Sequence, residues 1–418
     1  PEGVIKESQE MAAEVFGAKK SYFLINGSSC GLEALLLSVC NPGQKIIVPR
    51  NIHRSILSGI ILSGAVPVFF MPEYDEGYGV FVHTLPQTIA QALEENPDAR
   101  AVLLVSPTYN GVVSEVQKIA DLVHQKGIPL LVDEAHGAHF GFHPDFPQSA
   151  LKCGADAAVH GSHKMLSSFT QASMVHLQGD LIDQNRLESA LRILQSTSTS
   201  YLLLASLEAS LFQMHLQGKK LLEHTLQLSR FLKQSLNEMG YPIMNEKKYH
   251  LDPCKITVAL ESLPPTGPWA ETWLRKNYQI QVELSAPNNL LLLLSPGNTW
   301  EDVKQLAAAL SAMRTLEDSA WPEEALHHKK CALPSCLPEI VLPPRTVFFS
   351  AARIVKLEQA AGLICAETIS CYPPGVPIIC PGERFTAEVV EYLQSVKYMG
   401  VHFQGCQDPN LASVRVMV

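Results

Sequence analysis

Lys164, in the run Gly161-Ser162-His163-Lys164, follows the apolar stretch Ala157-Ala158-Val159. An ammonium group there is costly unless it is paired or covalently engaged. Asp133 closes Leu130-Leu131-Val132-Asp133, so its carboxylate is poorly solvated and calls for a cationic partner. A salt bridge to a core lysine or arginine would also satisfy it. His136 lies three residues further on, and His53 ends Arg50-Asn51-Ile52-His53. Each imidazole can stack or carry a proton, and each reads equally well as an ordinary polar loop residue. Gly27-Ser28-Ser29 opens an expected helix after Tyr22-Phe23-Leu24-Ile25. Glycine admits close backbone approach, two hydroxyls donate, and a helix N-terminus offers free N–H groups, an arrangement suited to an anion. N-capping by serine explains the same residues. His136, His139 and His143 are close enough in sequence to be weighed as metal ligands, but such spacing is common by chance and no metal is expected.

These groups stand at the ends of apolar runs that alternate with amphipathic stretches. "SYFLIN" precedes "SCGLEALLLSV", "KIIVP" precedes "HRSILSGIILSG", "VPVFF" precedes "LPQTIAQALEEN", and "AVLLVSP" precedes "SEVQKIADLVHQKG" before "IPLLVDE" closes the series. Strands rich in Val, Ile and Leu without polar alternation are buried on both faces, as in a parallel sheet covered by helices. The expected class is α/β with a mainly parallel central sheet. "AAVH" and "ASMVHL" add two strands, Tyr201 to Glu238 reads as a long helix, and "CKITVALESL" and "NNLLLLLSPGNT" as strands of a smaller region. The expected domains are 1–215, 216–330 (helical and α/β) and 331–418 (a C-terminal α+β module), with a Pro-rich linker around "HHKKCALPSCLPEIVLPPR". Ligands of open parallel sheets bind beyond the carboxyl ends of the strands. Five places fall there: Asn26 to Ser29, Arg50 to His53, Ser106 to Tyr109, Asp133 to His136, and Gly161 to Lys164.

Taken together, a lysine after a buried strand, a buried aspartate, a histidine able to stack and an anion cradle suit pyridoxal 5'-phosphate. Lysine condenses with its aldehyde, aspartate keeps the ring nitrogen protonated, and the serine-rich helix start holds the phosphate. The motifs "FLINGSSCG", "VPRNIHRSILSG", "SPTYNGV", "VDEAHGAHFGFHP", "GSHKMLSSFTQASMVHL", "STSTSYLLLASLE" and "YPPGVPIICPGE" occur in this order over nearly the whole chain. In them the sequence resembles the ornithine/lysine/arginine decarboxylases among the fold-type I pyridoxal phosphate enzymes, in the short form without an N-terminal receiver-like domain. The resemblance implies an aspartate aminotransferase-like fold. It implies Lys164 as the covalent attachment point, Asp133 on the ring nitrogen, and His53 stacked on the ring and assisting proton transfer. Ser28 and Ser29 would bind phosphate, His136 would lie near the phenolic oxygen, and His163 would help hold the site. Glu367 is expected to bind the substrate's distal cation. The family usually has serine where this chain has Gly161, so a phosphate hydrogen bond is lost or supplied by Ser162, the backbone or the run Ser196 to Ser200. The implied reaction is decarboxylation of a basic amino acid, arginine first and lysine or ornithine next, to an amine that feeds polyamine synthesis. An aminotransferase or aldolase on this fold, or a non-catalytic homologue that binds the cofactor, are the alternatives.

Bulk properties agree with a well-buried enzyme: 418 residues, 46% hydrophobic and 17% charged. A net charge of −9 provides no basic footprint for nucleic acid, and no apolar run approaches bilayer-spanning length. The ten cysteines include no CxxC pair, which suits reduced thiols and a cytoplasmic setting. The chain opens at Pro1, already inside the family pattern, so it reads as a fragment whose targeting peptide, if any, would lie outside it. Sites of this fold are usually completed by a second subunit, and a homodimer or higher homo-oligomer is expected.

Overall fold

Short strands buried on both faces need a helical layer on each side, and the computed structural model has that arrangement. It describes residues 2–260, 266–316, 333–372, 375–398 and 401–418. Helix α1 (Gly3–Phe16) leads into β1 (Lys20–Leu24), α2 (Gly27–Val39), β2 (Lys45–Pro49), α3 (Arg54–Ser63) and β3 (Val66–Phe70). A small hairpin, β4 (Tyr74–Asp75) and β5 (Val80–Phe81), precedes α4 (Pro86–Glu95), β6 (Val102–Val105), α5 (Val116–His124) and β7 (Leu130–Asp133). Next come β8 (Ala157–His160), the single turn α6 (Ser162–Met165) and β9 (Ser173–Leu177). The sheet order is β1-β9-β8-β7-β6-β2-β3. Alternation across the pleat divides the core. Leu103 and Leu131 join the α2–α3 side, whereas Leu104, Leu130 and Val132 join the side packed by α4 and α5. Gly59 lets α2 and α3 approach, because a Cβ there would fall 2.5 Å from Leu36 Cδ1.

The expected parallel sheet holds for β2, β3, β6, β7 and β8, but β9 runs antiparallel to both neighbours. Between β8 and β9 only the one-turn α6 intervenes, too little for a parallel crossover.

After α7 (Gln184–Leu194), α8 (Tyr201–Glu238) runs unbroken through the boundary expected at 215/216. Its Leu207 and Leu211 pack with α1, while Leu228, Leu232 and Leu236 belong to the core of the smaller region. That region holds β10 (Lys255–Ala259), α9 (Gly267–Tyr278), β11 (Leu284–Ala286), β12 (Asn289–Leu293) and α10 (Trp300–Arg314), its strands antiparallel in the order β10-β12-β11. The boundary expected at 330/331 lies outside the described residues. The C-terminal module pairs β13 (Ala352–Lys356) with β17 (Ser413–Met417) and builds a second sheet, β15-β14-β16, from Val376–Ile379, Ile369–Tyr372 and His402–Gln404. Helix Ala387–Tyr398 closes its core over Ile379, Phe385 and Val416. Among the described residues no helix is long and apolar enough to cross a membrane.

Candidate active site

The carboxyl ends of the parallel strands open into a cavity of about 720 Å³. Ser28, Ser29, His53, Asp133, His136, His163 and Lys164 all line it. The opposite wall comes from the C-terminal module, with Thr368, Ser370, Tyr372, Gly375, Val376 and Gln404.

Ser28 and Ser29 occupy the first turn of α2, whose N-cap is Asn26, and the Asn26 side chain makes no capping hydrogen bond. The serines are therefore not the cap, and Gly27, Ser28 and Ser29 line the cavity. Gly27 reaches this turn at φ 79°, a left-handed conformation that favours glycine. His53 is the N-cap of α3; its Nδ1 accepts from the Ser55 backbone and lies 2.7 Å from Ser55 Oγ. That bond orients the ring while leaving a face on the cavity. Enclosure holds the His53 pKa below its ordinary value, with Asp133 opposing and Lys164 and Arg54 adding to the depression.

Asp133 is 5% exposed at the end of β7, and its Oδ1 accepts from Ala135 N at 3.1 Å. Lys164 Nζ lies 3.0 Å from His136 Nε2. Burial lowers the Lys164 pKa from 10.5, opposed by the charges of Asp133 and Glu283. Burial, reinforced by Lys255 and Lys164, pushes His136 well below 6.5, so its neutral imidazole is the acceptor for the lysine. His163 Nδ1 sits 3.1 Å from Ala172 O, which places the proton on that nitrogen. Behind Asp133 runs a buried polar chain. Glu134 Oε2 meets His160 Nε2 at 2.8 Å, His160 Nδ1 meets His176 Nε2 at 3.1 Å, and His176 Nδ1 meets Ser21 Oγ at 2.7 Å.

Two expected site residues are not brought into the cavity. Ser162 does not line it, and its Oγ is buried without a partner. Glu367 is 6% exposed, and each of its carboxylate oxygens already accepts a backbone N–H, from Arg415 and Gln407 at 2.7 Å. It braces the C-terminal module, and its neighbour Thr368 forms the wall. The run Ser196 to Ser200 also lies off the cavity, where Ser200 caps α8. Gly161 has a steric reason: a Cβ there would stand 2.8 Å from Ala135 O and 3.0 Å from Lys164 Cδ. The three closely spaced histidines take separate partners, His136 with Lys164, His139 with Asp252 and His143 with Glu223.

The smaller region adds residues that sequence reasoning missed. Lys255 Nζ donates to Tyr109 O at 2.6 Å, and the Tyr109 hydroxyl donates to Glu283 Oε1 at 2.8 Å. The Tyr109 ring lines the cavity and packs against His136 at 4.7 Å between centroids. Burial lowers Lys255 to about 8, with Asp252 opposing. The one signal for Lys255 was a lysine heading the apolar run "KITVAL"; nothing in sequence marked Glu283.

Lys164 and Asp133 share the mouth of a mainly parallel sheet with the start of α2, in an aminotransferase-like fold. The sequence matches the family model "Orn/Lys/Arg decarboxylase, major domain" over residues 1–241 and "Orn/Lys/Arg decarboxylase, C-terminal domain" over residues 329–409. The chain belongs to the Orn/Lys/Arg decarboxylase family. It is 38% identical to the arginine decarboxylase of Bacillus subtilis across 100% of this chain and 86% of that protein. The crystal structure of the Francisella novicida lysine decarboxylase superposes with a TM-score of 0.85 at 21% identity, covering 100% of this chain and 72% of that one. The ureidoglycine-glyoxylate aminotransferase of Bacillus subtilis reaches 0.61 at 17% identity over 74% of this chain and 84% of its own.

Proposed function

We propose that this chain decarboxylates a basic amino acid, arginine in first place, with pyridoxal 5'-phosphate as cofactor. The observation that carries the reading is the arrangement of Lys164, Asp133 and His53 around one cavity, with the start of α2 on the same wall. Arginine ranks first because the relatives of 37–39% identity that carry an activity in their names are arginine decarboxylases. Decarboxylase likeness spans the whole chain whereas the aminotransferase likeness spans 74% of it, which favours carbon–carbon cleavage over amino transfer.

The residues fit the cofactor. Ser28, Ser29 and the leading N–H groups of α2 would hold its phosphate. When bound, pyridoxal phosphate supplies an aldehyde for the Lys164 amine and a conjugated ring that takes the electron pair left as carbon dioxide departs. Asp133 would keep a proton on the ring nitrogen, and its buried position strengthens that charge interaction. His53 would lie against the ring and limit its tilt. His136, held neutral, accepts from Lys164 and keeps the amine aimed at the cavity. The depressed Lys164 pKa enlarges its neutral, nucleophilic fraction at physiological pH.

Asp133 is the only carboxylate on the cavity wall among the described residues. The substrate's distal cation therefore relies on the hydroxyl and amide acceptors Thr368, Ser370, Tyr372 and Gln404 and on what a second copy of the chain adds. The working form is accordingly a homodimer or larger, and full activity in a species that sediments as a monomer would contradict this.

The deciding experiment incubates purified protein and pyridoxal phosphate separately with arginine, lysine and ornithine and measures carbon dioxide, amine and keto acid. Carbon dioxide and amine in equal amounts, removed in Lys164→Ala by roughly 10³-fold or more, are expected. Keto acid without carbon dioxide would replace this reading with amino transfer, and no turnover of any of the three would end it.

A further inference from the structure

Two motifs of the sequence contain charged residues for which the site has no use: Arg50 in "VPRNIHRS" and Glu383 in "PIICPGE". The fold brings them together across 333 residues of sequence. Arg50 is 2% exposed and Glu383 is 1% exposed. Arg50 Nη1 donates to Glu383 Oε1 at 2.6 Å and Nη2 to Oε2 at 2.8 Å, a parallel two-point pair that only a guanidinium fork provides. The same guanidinium donates through Nε to Pro377 O at 2.8 Å and through Nη2 to Ile378 O at 2.7 Å. Its flat face lies over the Phe69 ring at 4.8 Å. Glu383 Oε2 also accepts from Cys380 N at 2.7 Å. Gly382, at φ 93°, is pressed so closely on Leu342 that a Cβ would fall 2.1 Å from its carbonyl oxygen.

The placement matters more than the number of bonds. Asn51, Ile52 and His53, directly after Arg50, line one wall of the cavity, and Gly375 and Val376, directly before the carbonyls it holds, line the other. One buried side chain thus ties the two walls together beside the cavity, while Arg345 makes the more exposed link, to Ile61 O and Leu62 O at the end of α3. Replacing buried ion pairs by apolar side chains of similar volume is often neutral or stabilising, so stability alone is a weak reason for this one. We propose that Arg50 and Glu383 are positioning residues that clamp the C-terminal module at the distance the substrate requires, acting on substrate capture and not on cofactor binding.

The inference rests on the decarboxylase reading for its kinetic half only. Arg50→Lys keeps a charge but loses the fork. In the cofactor-loaded protein the expected result is a KM for the amino-acid substrate raised about tenfold or more, with pyridoxal phosphate affinity, read by absorbance, within about threefold of the parent. Hydrogen–deuterium exchange, which needs no turnover, should speed up at residues 375–380 and stay unchanged at residues 102–105 and 130–133. Unchanged exchange at 375–380, or equal acceleration across the central sheet, overturns the proposal, as does parallel loss of cofactor and substrate binding. Should Arg50→Lys prove insoluble, Glu383→Gln, which keeps shape and removes the charge, is read by the same three measurements, with the same pattern at smaller amplitude expected. If the parent protein turns over no basic amino acid, the functional reading fails on its own and exchange alone decides the clamp.

Discussion

The two walls of the cavity are made differently. The large-domain wall presents titratable groups, Lys164, Asp133, His53 and His136, each anchored within a few residues of a buried parallel strand or helix start. The C-terminal wall presents Ser370, Tyr372 and Gln404 from short antiparallel strands and Thr368 from the residue before one of them, with no formal charge among them. Burial lowers the pKa values of Lys164, His53 and His136, and a doubly covered sheet supplies that low-dielectric setting. Fit needs shape and neutral hydrogen-bonding groups, which a small module can vary without disturbing the sheet. On the proposed function, one wall would react and the other would select.

Three measurements test that division, the largest effect first. Asp133→Asn retains size but removes the charge that favours the protonated ring, so kcat should fall by roughly 10²–10³-fold with KM little changed. A KM effect of equal size would place Asp133 with substrate capture and break the contrast. Thr368→Val with Ser370→Ala removes hydroxyls from the far wall. KM should rise about tenfold and kcat change less than about threefold, and a collapse of kcat instead would put chemistry on both walls. The smallest effect is on stability. His136 lies well below 6.5 in the fold, so below pH 6.5 the unfolded chain binds more protons and stability falls as pH falls. The slope this one group contributes is at most about 1.4 kcal/mol per pH unit. The thermal midpoint of cofactor-free protein between pH 5 and 7 should therefore decline more shallowly in His136→Gln, and an unchanged slope would show that the imidazole is not held neutral.

Legibility followed the same line. Each of the five strand-end clusters, Asn26 to Ser29 through Gly161 to Lys164, contributes to the cavity wall, because a parallel sheet aims all its carboxyl ends one way. Glu367 was misplaced for a different reason. Spacing puts a residue near a site, but hydrogen-bond competition decides where its side chain goes, and backbone donors at Gln407 and Arg415 engage Glu367. Ser162 sits in the single turn of α6 with its Oγ buried and unpartnered, off the cavity wall. Tyr109 was in view without its partners, since Lys255 and Glu283 arrive from another region, 146 and 174 residues away in sequence. The antiparallel turn of β9 was likewise hidden, because it depends on how little helix α6 contributes between two strands.

By itself, the order of apolar runs determined the layered α/β class and the wall that holds Lys164 and Asp133, since local periodicity and strand ends are properties of neighbouring residues. Only the tertiary structure decided which remote groups close the cavity: the seating of the C-terminal module on Arg50, the reach of Lys255 and Glu283 to Tyr109, and the turning away of Glu367. Those depend on packing between segments from 40 to 333 residues apart, where buried charges and backbone donors settle on partners that no local pattern specifies.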